Sequence, residues 1–135
     1  MIDRLFVYGT LMRAAATVAM GRDMRARLDA EGDWLGAATL GGRLYDLGTY
    51  PGLIRSTRSD ERVHGEVYRL RDPRASLVWL DAYEGLPVGQ TQSGHEYERV
   101  VDRTTLADGT HIEVWVYALI SEPDRTRVIP TGRWR

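Results

Sequence analysis

The residues with the clearest chemical potential lie in Leu80-Asp81-Ala82-Tyr83-Glu84-Gly85. Upstream, Asp72 and Pro73 mark a helix start: aspartate accepts hydrogen bonds from the free N–H groups of a first turn, and proline fits where no donor is needed. Gly85 marks its end, because glycine enters the left-handed conformation at little cost. On that helix Leu77, Leu80 and Glu84 fall at i, i+3 and i+7 and share one stripe, so the spacing sets a carboxylate on an apolar face. Lost hydration and the negative helix C-terminus would both raise its pKa, toward the range where a carboxyl exchanges protons near neutral pH. On periodicity alone the commoner reading is a boundary residue whose carboxylate reaches water.

A second candidate stands near the N-terminus. Leu5, Phe6, Val7 and Tyr8 read as a buried strand entering a tight turn at Gly9, after which Thr10 can cap a helix through its hydroxyl. A strand, a glycine and a helix start leave free N–H groups facing a concavity, which suits a carboxylate or phosphate. Many turns of this shape bind nothing.

Absent residue types narrow the chemistry. The chain has no cysteine, which excludes thiolate catalysis, cysteine-ligated zinc and disulfides. All 18 basic residues are arginine, so neither a Schiff base nor a P-loop lysine is available. His64, His95 and His111 lie in separate segments without metal-ligand spacing, no serine sits in a Gly-x-Ser-x-Gly elbow, and no Gly-x-Gly-x-x-Gly follows a strand. What remains is acid/base chemistry by a carboxylate, with backbone groups and tyrosines for positioning. No metal or cofactor is expected.

At 135 residues the chain is the size of one domain, residues 1–135, and long enough to bury a core. A hydrophobic content of 43%, a charged content of 27% and a net charge of −1 give no electrostatic pull toward nucleic acid or an anionic membrane. No apolar run of about 20 residues and no signal-peptide pattern are visible, so a cytoplasmic location is the expectation.

The positioning elements follow from patterning. A helix is expected over Ala14–Ala30, with Met20, Met24 and Leu28 inward, Arg22, Arg25 and Arg27 solvated, and Gly21 as a weak point. Strands are expected at Trp34–Leu40 and Arg43–Leu47, turned by Gly41-Gly42 as a hairpin, and at Val63–Leu70, where Gly65 suggests close backbone approach. Between them, Gly48-Thr49-Tyr50-Pro51-Gly52 is a turn cluster presenting an aromatic ring. Residues 86–95 read as a loop beside Glu84 and a lid candidate. Tyr97–Leu106 and His111–Leu119 flank Asp108-Gly109, the strongest hairpin signal in the chain. The tail from Ser121 is expected to be irregular.

These residues resemble the γ-glutamylcyclotransferase-like family. The resemblance rests on an ordered set: Phe6-Val7-Tyr8-Gly9-Thr10-Leu11, Gly42-Arg43-Leu44-Tyr45 leading to Tyr50-Pro51-Gly52, and Val63-His64-Gly65-Glu66-Val67-Tyr68. It continues through Leu80 to Gly85, Glu96-Tyr97-Glu98-Arg99 and Val114-Trp115-Val116-Tyr117. Together these cover residues 4 to about 119. The tail Thr131-Gly132-Arg133-Trp134 departs from a Gly-Asp-Trp pattern associated with relatives.

The resemblance implies an α+β fold, a barrel-like mixed β-sheet with flanking helices. It implies a cofactor-independent cyclotransferase releasing 5-oxoproline from γ-glutamyl compounds, more similar to the γ-glutamylamine-type and small bacterial members than to the γ-glutamyl dipeptide enzymes. Glu84 matches the general acid/base. The substrate loop matches Tyr8, Gly9, Thr10 and Leu11, and Tyr50, Gly52, Tyr97 and Tyr117 are further substrate-binding candidates. The expected partner is a small γ-glutamyl substrate. A non-catalytic module holding a small carboxylate on the same scaffold is the alternative.

Overall fold

The computed structural model describes residues 1–15, 19, 21–86 and 96–134. Five strands close into a barrel: β1 (Arg4–Val7), β2 (Gly32–Asp46), β4 (Arg62–Leu70), β5 (Tyr97–Leu106) and β6 (His111–Leu119). Around the ring the order is β2-β4-β1-β6-β5, and β5 returns to β2 through Ala38–Leu40 against Leu106–Thr104. All of these pairings are antiparallel except β1 with β6, which is parallel with Leu5 opposite Trp115. The sheet is therefore mixed, and with helices α1 (Arg22–Glu31) and α2 (Pro73–Tyr83) it forms the expected α+β barrel. Closure matters because it leaves these strands with few unpaired backbone groups.

One strand departs from its sequence reading. Gly41 and Gly42 do not turn a hairpin: they lie inside β2, which runs unbroken for 15 residues. A Cβ on Gly41 would stand 2.6 Å from the Ser56 carbonyl oxygen, and one on Gly42 2.7 Å from that of Ile54. The glycines thus permit close backbone approach where β2 leaves the barrel and pairs with β3 (Pro51–Arg55) and β7 (Val128–Ile129). The hairpin turn that does form is at Asp108-Gly109, with Gly109 at φ +88°.

The helices also differ from expectation. Residues 16–18 and 20 of the expected Ala14–Ala30 helix, Met20 among them, lie outside the described residues. A short 3₁₀ turn spans Arg13–Ala15, and α1 begins only after Gly21, whose φ of +79° is left-handed. Arg25 is buried rather than solvated and donates to the Thr10 carbonyl oxygen at 2.6 Å. The expected start of α2 is present, with Asp72 accepting from the Ala75 N–H and Pro73 in the first turn.

Buried side chains on both helices and every barrel strand make one core, including Phe6, Leu28, Leu40, Val67, Leu77, Leu80, Val114 and Val116. Gly65 packs against Phe6 and the Val7 carbonyl, the close approach its position in β4 suggested. Glu31, ending α1, accepts from Ser76 Oγ (2.7 Å) and Trp79 Nε1 (2.8 Å) of α2 and so locks the helices together. The tail is less irregular than expected: β7 extends the outer part of β2, and Trp134 is buried.

Candidate active site

Glu84 sits directly after α2, where the chain reverses. Gly85 takes φ +80°, its N–H reaches the Ala82 carbonyl (3.1 Å), and the Leu86 N–H reaches that of Asp81 (2.9 Å). This pair of bonds is the Schellman arrangement, and it fixes Glu84 as the C-cap. Leu77 and Leu80 on the same stripe are buried, whereas Glu84 reaches the wall of a cavity of about 420 Å³ at one end of the barrel. Burial raises its pKa to about 7. Among the described residues no group hydrogen-bonds its carboxylate.

The opposite wall is the turn after β1. Gly9, Thr10 and Leu11 line the cavity, and among the described residues no acceptor meets their backbone N–H groups. Gly9 packs on Pro51, since a Cβ there would lie 2.8 Å from the proline ring. Thr10 does not cap a helix as expected. Its Oγ1 lies 2.8 Å from the Tyr83 hydroxyl and so ties the turn to the residue before Glu84. The 3₁₀ turn beyond is capped instead by Glu66, which accepts from the N–H of Arg13 (2.5 Å) and Ala14 (3.3 Å).

Tyrosines complete the cavity. Tyr8 donates to the Tyr117 carbonyl (2.5 Å), Tyr97 to the Pro51 carbonyl (2.7 Å), and Tyr117 to Asp81 Oδ1 (2.6 Å). Asp81 also accepts from Arg99 Nε (2.8 Å) and so serves as a structural anchor. Burial is the main cause that pushes up the phenols of Tyr8, Tyr83, Tyr97 and Tyr117, and the nearby Glu84 carboxylate adds to it in all four. Four neutral phenols therefore surround one titrating carboxyl.

The structure gathers Tyr8, Gly9, Thr10, Leu11, Tyr50, Glu84, Tyr97 and Tyr117 around a single cavity. Gly52 does not join them: it is buried, and a Cβ there would lie 2.4 Å from the Leu119 side chain. Sequence reasoning missed Tyr83, Pro51, Gly85 and Glu96 on the wall. Each adjoins a residue that was singled out, and that adjacency was the available signal. Of the lid candidate, residues 87–95 lie outside the described residues. Among the described residues of the tail none lines the cavity. Among the described residues no three His, Asp or Glu side chains group as metal ligands, and no helix is long and apolar enough to cross a membrane.

Fold and site together define a small mixed-barrel protein with a tyrosine-lined pocket and a carboxyl able to exchange a proton near neutral pH. The chain belongs to the family described as Gamma-glutamyl cyclotransferase, AIG2-like, which residues 5–135 match. A Vibrio cholerae protein carrying the provisional name gamma-glutamylcyclotransferase is 30% identical over 132 residues, spanning 96% of this chain and 93% of that protein. The crystal structure of an AIG2-like protein from Mus musculus has a TM-score of 0.73 at 19% identity, covering 99% of this chain and 88% of the mouse chain. YkqA from Bacillus subtilis has a TM-score of 0.67 at 21% identity over 99% of this chain, which spans only 40% of YkqA. The likeness to these two structures is one of fold.

Proposed function

We propose that the protein is a γ-glutamyl cyclotransferase that converts a γ-glutamylamine, or a related γ-glutamyl conjugate, into 5-oxoproline and a free amine. Family membership supports the reaction class, and the Glu84 carboxyl on the cavity wall, to which none of the described residues hydrogen-bonds, is the observation that carries the mechanism.

The substrate brings its own nucleophile. Its α-amine can reach the γ-carbonyl by closing a five-membered ring, so the missing cysteine is no obstacle. That amine is mostly protonated near neutral pH, with a reference pKa of about 8, and a base must free its lone pair. Two protons leave that nitrogen before it is a lactam N–H. One passes to solvent as the free amine forms, and Glu84 takes the second as the new N–C bond forms and returns it to the departing nitrogen as the old C–N bond breaks. A carboxyl with a pKa near 7 is suited to both halves of that exchange. The N–H groups of Gly9, Thr10 and Leu11 hold substrate oxygens on the facing wall. Tyr8, Tyr97 and Tyr117 enclose the folded-back conformer, and orientation of that kind lowers barriers by up to roughly 7–11 kcal/mol in intramolecular reactions.

The test is incubation with a panel of γ-glutamylamines and γ-glutamyl dipeptides, reading 5-oxoproline. Release is expected from the native protein and loss of at least about a hundredfold in Glu84→Gln, the low end for removal of a general acid/base. A folded Glu84→Gln protein with full activity rules out the mechanism.

A further inference from the structure

The turn that faces Glu84 is held from behind by a residue outside the cavity. The Met12 N–H returns to the Gly9 carbonyl at 3.0 Å and closes a β-turn over residues 9–12. The peptide joining Thr10 to Leu11 is the central one of that turn. It takes no part in the closing bond, and the two common turn types differ in which way it faces.

Arg25 fixes that peptide. Its Nη1 donates to the Thr10 carbonyl oxygen at 2.6 Å, from the fourth residue of α1. The start of α1 packs directly on the turn: a Cβ on Gly21 would stand 3.2 Å from the Thr10 carbonyl oxygen and 2.8 Å from the Tyr83 hydroxyl. Arg25 is only 8% exposed and does not line the cavity, whereas Thr10 and Leu11 do. Burial and a place near the positive end of a helix both disfavour a cation. An apolar side chain would meet neither cost, so the charge calls for a reason of its own.

Peptide geometry supplies one. The described residues contain no cis peptide, and in a trans peptide the carbonyl and the following N–H point in opposite directions. A Thr10 carbonyl held toward Arg25 therefore turns the Leu11 N–H away from α1. A cation on the carbonyl also polarises the peptide, which makes its N–H a stronger donor.

We propose that Arg25 is a positioning residue, which holds the Leu11 N–H toward the cavity so that it meets a substrate oxygen. The proposal rests on the cyclotransferase reading for its substrate and adds a group that acts through the turn without touching the substrate.

Two variants test it. Arg25→Met keeps much of the stem and removes donor and charge, while Arg25→Lys retains both. The amide nitrogen resonance of Leu11 reports the hydrogen bond accepted by the carbonyl before it, and it can be read in the free protein. It should shift in Arg25→Met and return most of the way in Arg25→Lys. With the γ-glutamylamine that the native protein converts fastest, kcat/KM should fall on the order of tenfold in Arg25→Met, and Arg25→Lys should recover most of it. A side chain that only filled space would be replaced by methionine at least as well as by lysine. An unmoved Leu11 resonance in folded Arg25→Met overturns the positioning, and so does a native kcat/KM there or a lysine variant no better than the methionine one. Should Arg25→Met not fold, Arg25→Gln, which donates without a charge, takes its place with smaller changes of the same sign expected. If the native protein forms no 5-oxoproline from any substrate, the cyclotransferase reading falls, and the Leu11 resonance alone decides whether Arg25 sets the peptide.

Discussion

The Tyr117 hydroxyl and the Asp81 carboxylate are joined by a 2.6 Å hydrogen bond that ties the end of β6 to the last turn of α2, three residues before Glu84. Arg99 from β5 reaches the same carboxylate at 2.8 Å and lies 4.4 Å from the centre of the Trp115 ring. Asp81→Ala leaves a phenol and a guanidinium without their acceptor in a partly buried place. The expected cost is about 1–3 kcal/mol of stability, read as a lowered urea midpoint. An unchanged midpoint would show that water replaces the carboxylate without loss.

Glu84 should make stability depend on pH in an unusual direction. Its folded pKa of about 7 stands above the 4.5 of an unperturbed glutamate. The stability linked to its protonation is therefore fully present below about pH 4.5 and is lost as pH rises through 7. Glu84→Gln removes that loss. The variant should match the native protein at pH 4 and exceed it at pH 8 by no more than about 3 kcal/mol, the energy of a shift this size. Melting curves at both pH values check this, and a variant less stable at pH 8 than at pH 4, relative to native, contradicts the assignment.

The same titration should shape the rate. If the ionised carboxyl is the base, kcat/KM should rise with pH through about 7 and then level off. A profile flat between pH 5.5 and 8 would place the working proton elsewhere.

Gly85 is predicted to be intolerant for reasons of backbone alone. Nothing stands within 4 Å of where its Cβ would be, so a methyl meets no steric obstacle, yet its φ of +80° is unfavourable for any L-residue. Gly85→Ala should cost about 1–2 kcal/mol and lower turnover by disturbing the cap that holds Glu84, while Gly85→Asn should be milder. Equal stabilities for the alanine and asparagine variants would remove the left-handed conformation as the cause.

Local features were the most legible. The Asp72-Pro73 start and Gly85 stop of α2, the Asp108-Gly109 hairpin and the close approach at Gly65 each depend on a residue and its immediate backbone, which the sequence displays. Gly41-Gly42 failed because glycine serves turns and tight strand contacts alike, and the carbonyls that distinguish the two come from Ile54 in β3 and Ser56 just beyond it. Arg25 failed similarly: its helical spacing suits a solvated face, whereas the buried Thr10 carbonyl that accepts from it lies in another segment. Gly52 shared a motif with Tyr50 but packs on Leu119 instead of lining the cavity, and Leu119 comes from another strand, β6.

The sequence by itself determined the permitted chemistry: without cysteine or lysine, and with a glutamate ending an apolar helical stripe, proton transfer by a carboxylate was the reaction type left standing. Only the tertiary structure decided which groups surround that carboxylate. Tyr8 and the Gly9 turn, Tyr50, Tyr83, Glu96-Tyr97 and Tyr117 come from separate segments, and barrel closure brings them to one cavity. Desolvation, which sets the Glu84 pKa, is a property of that enclosure and of no single stretch of chain.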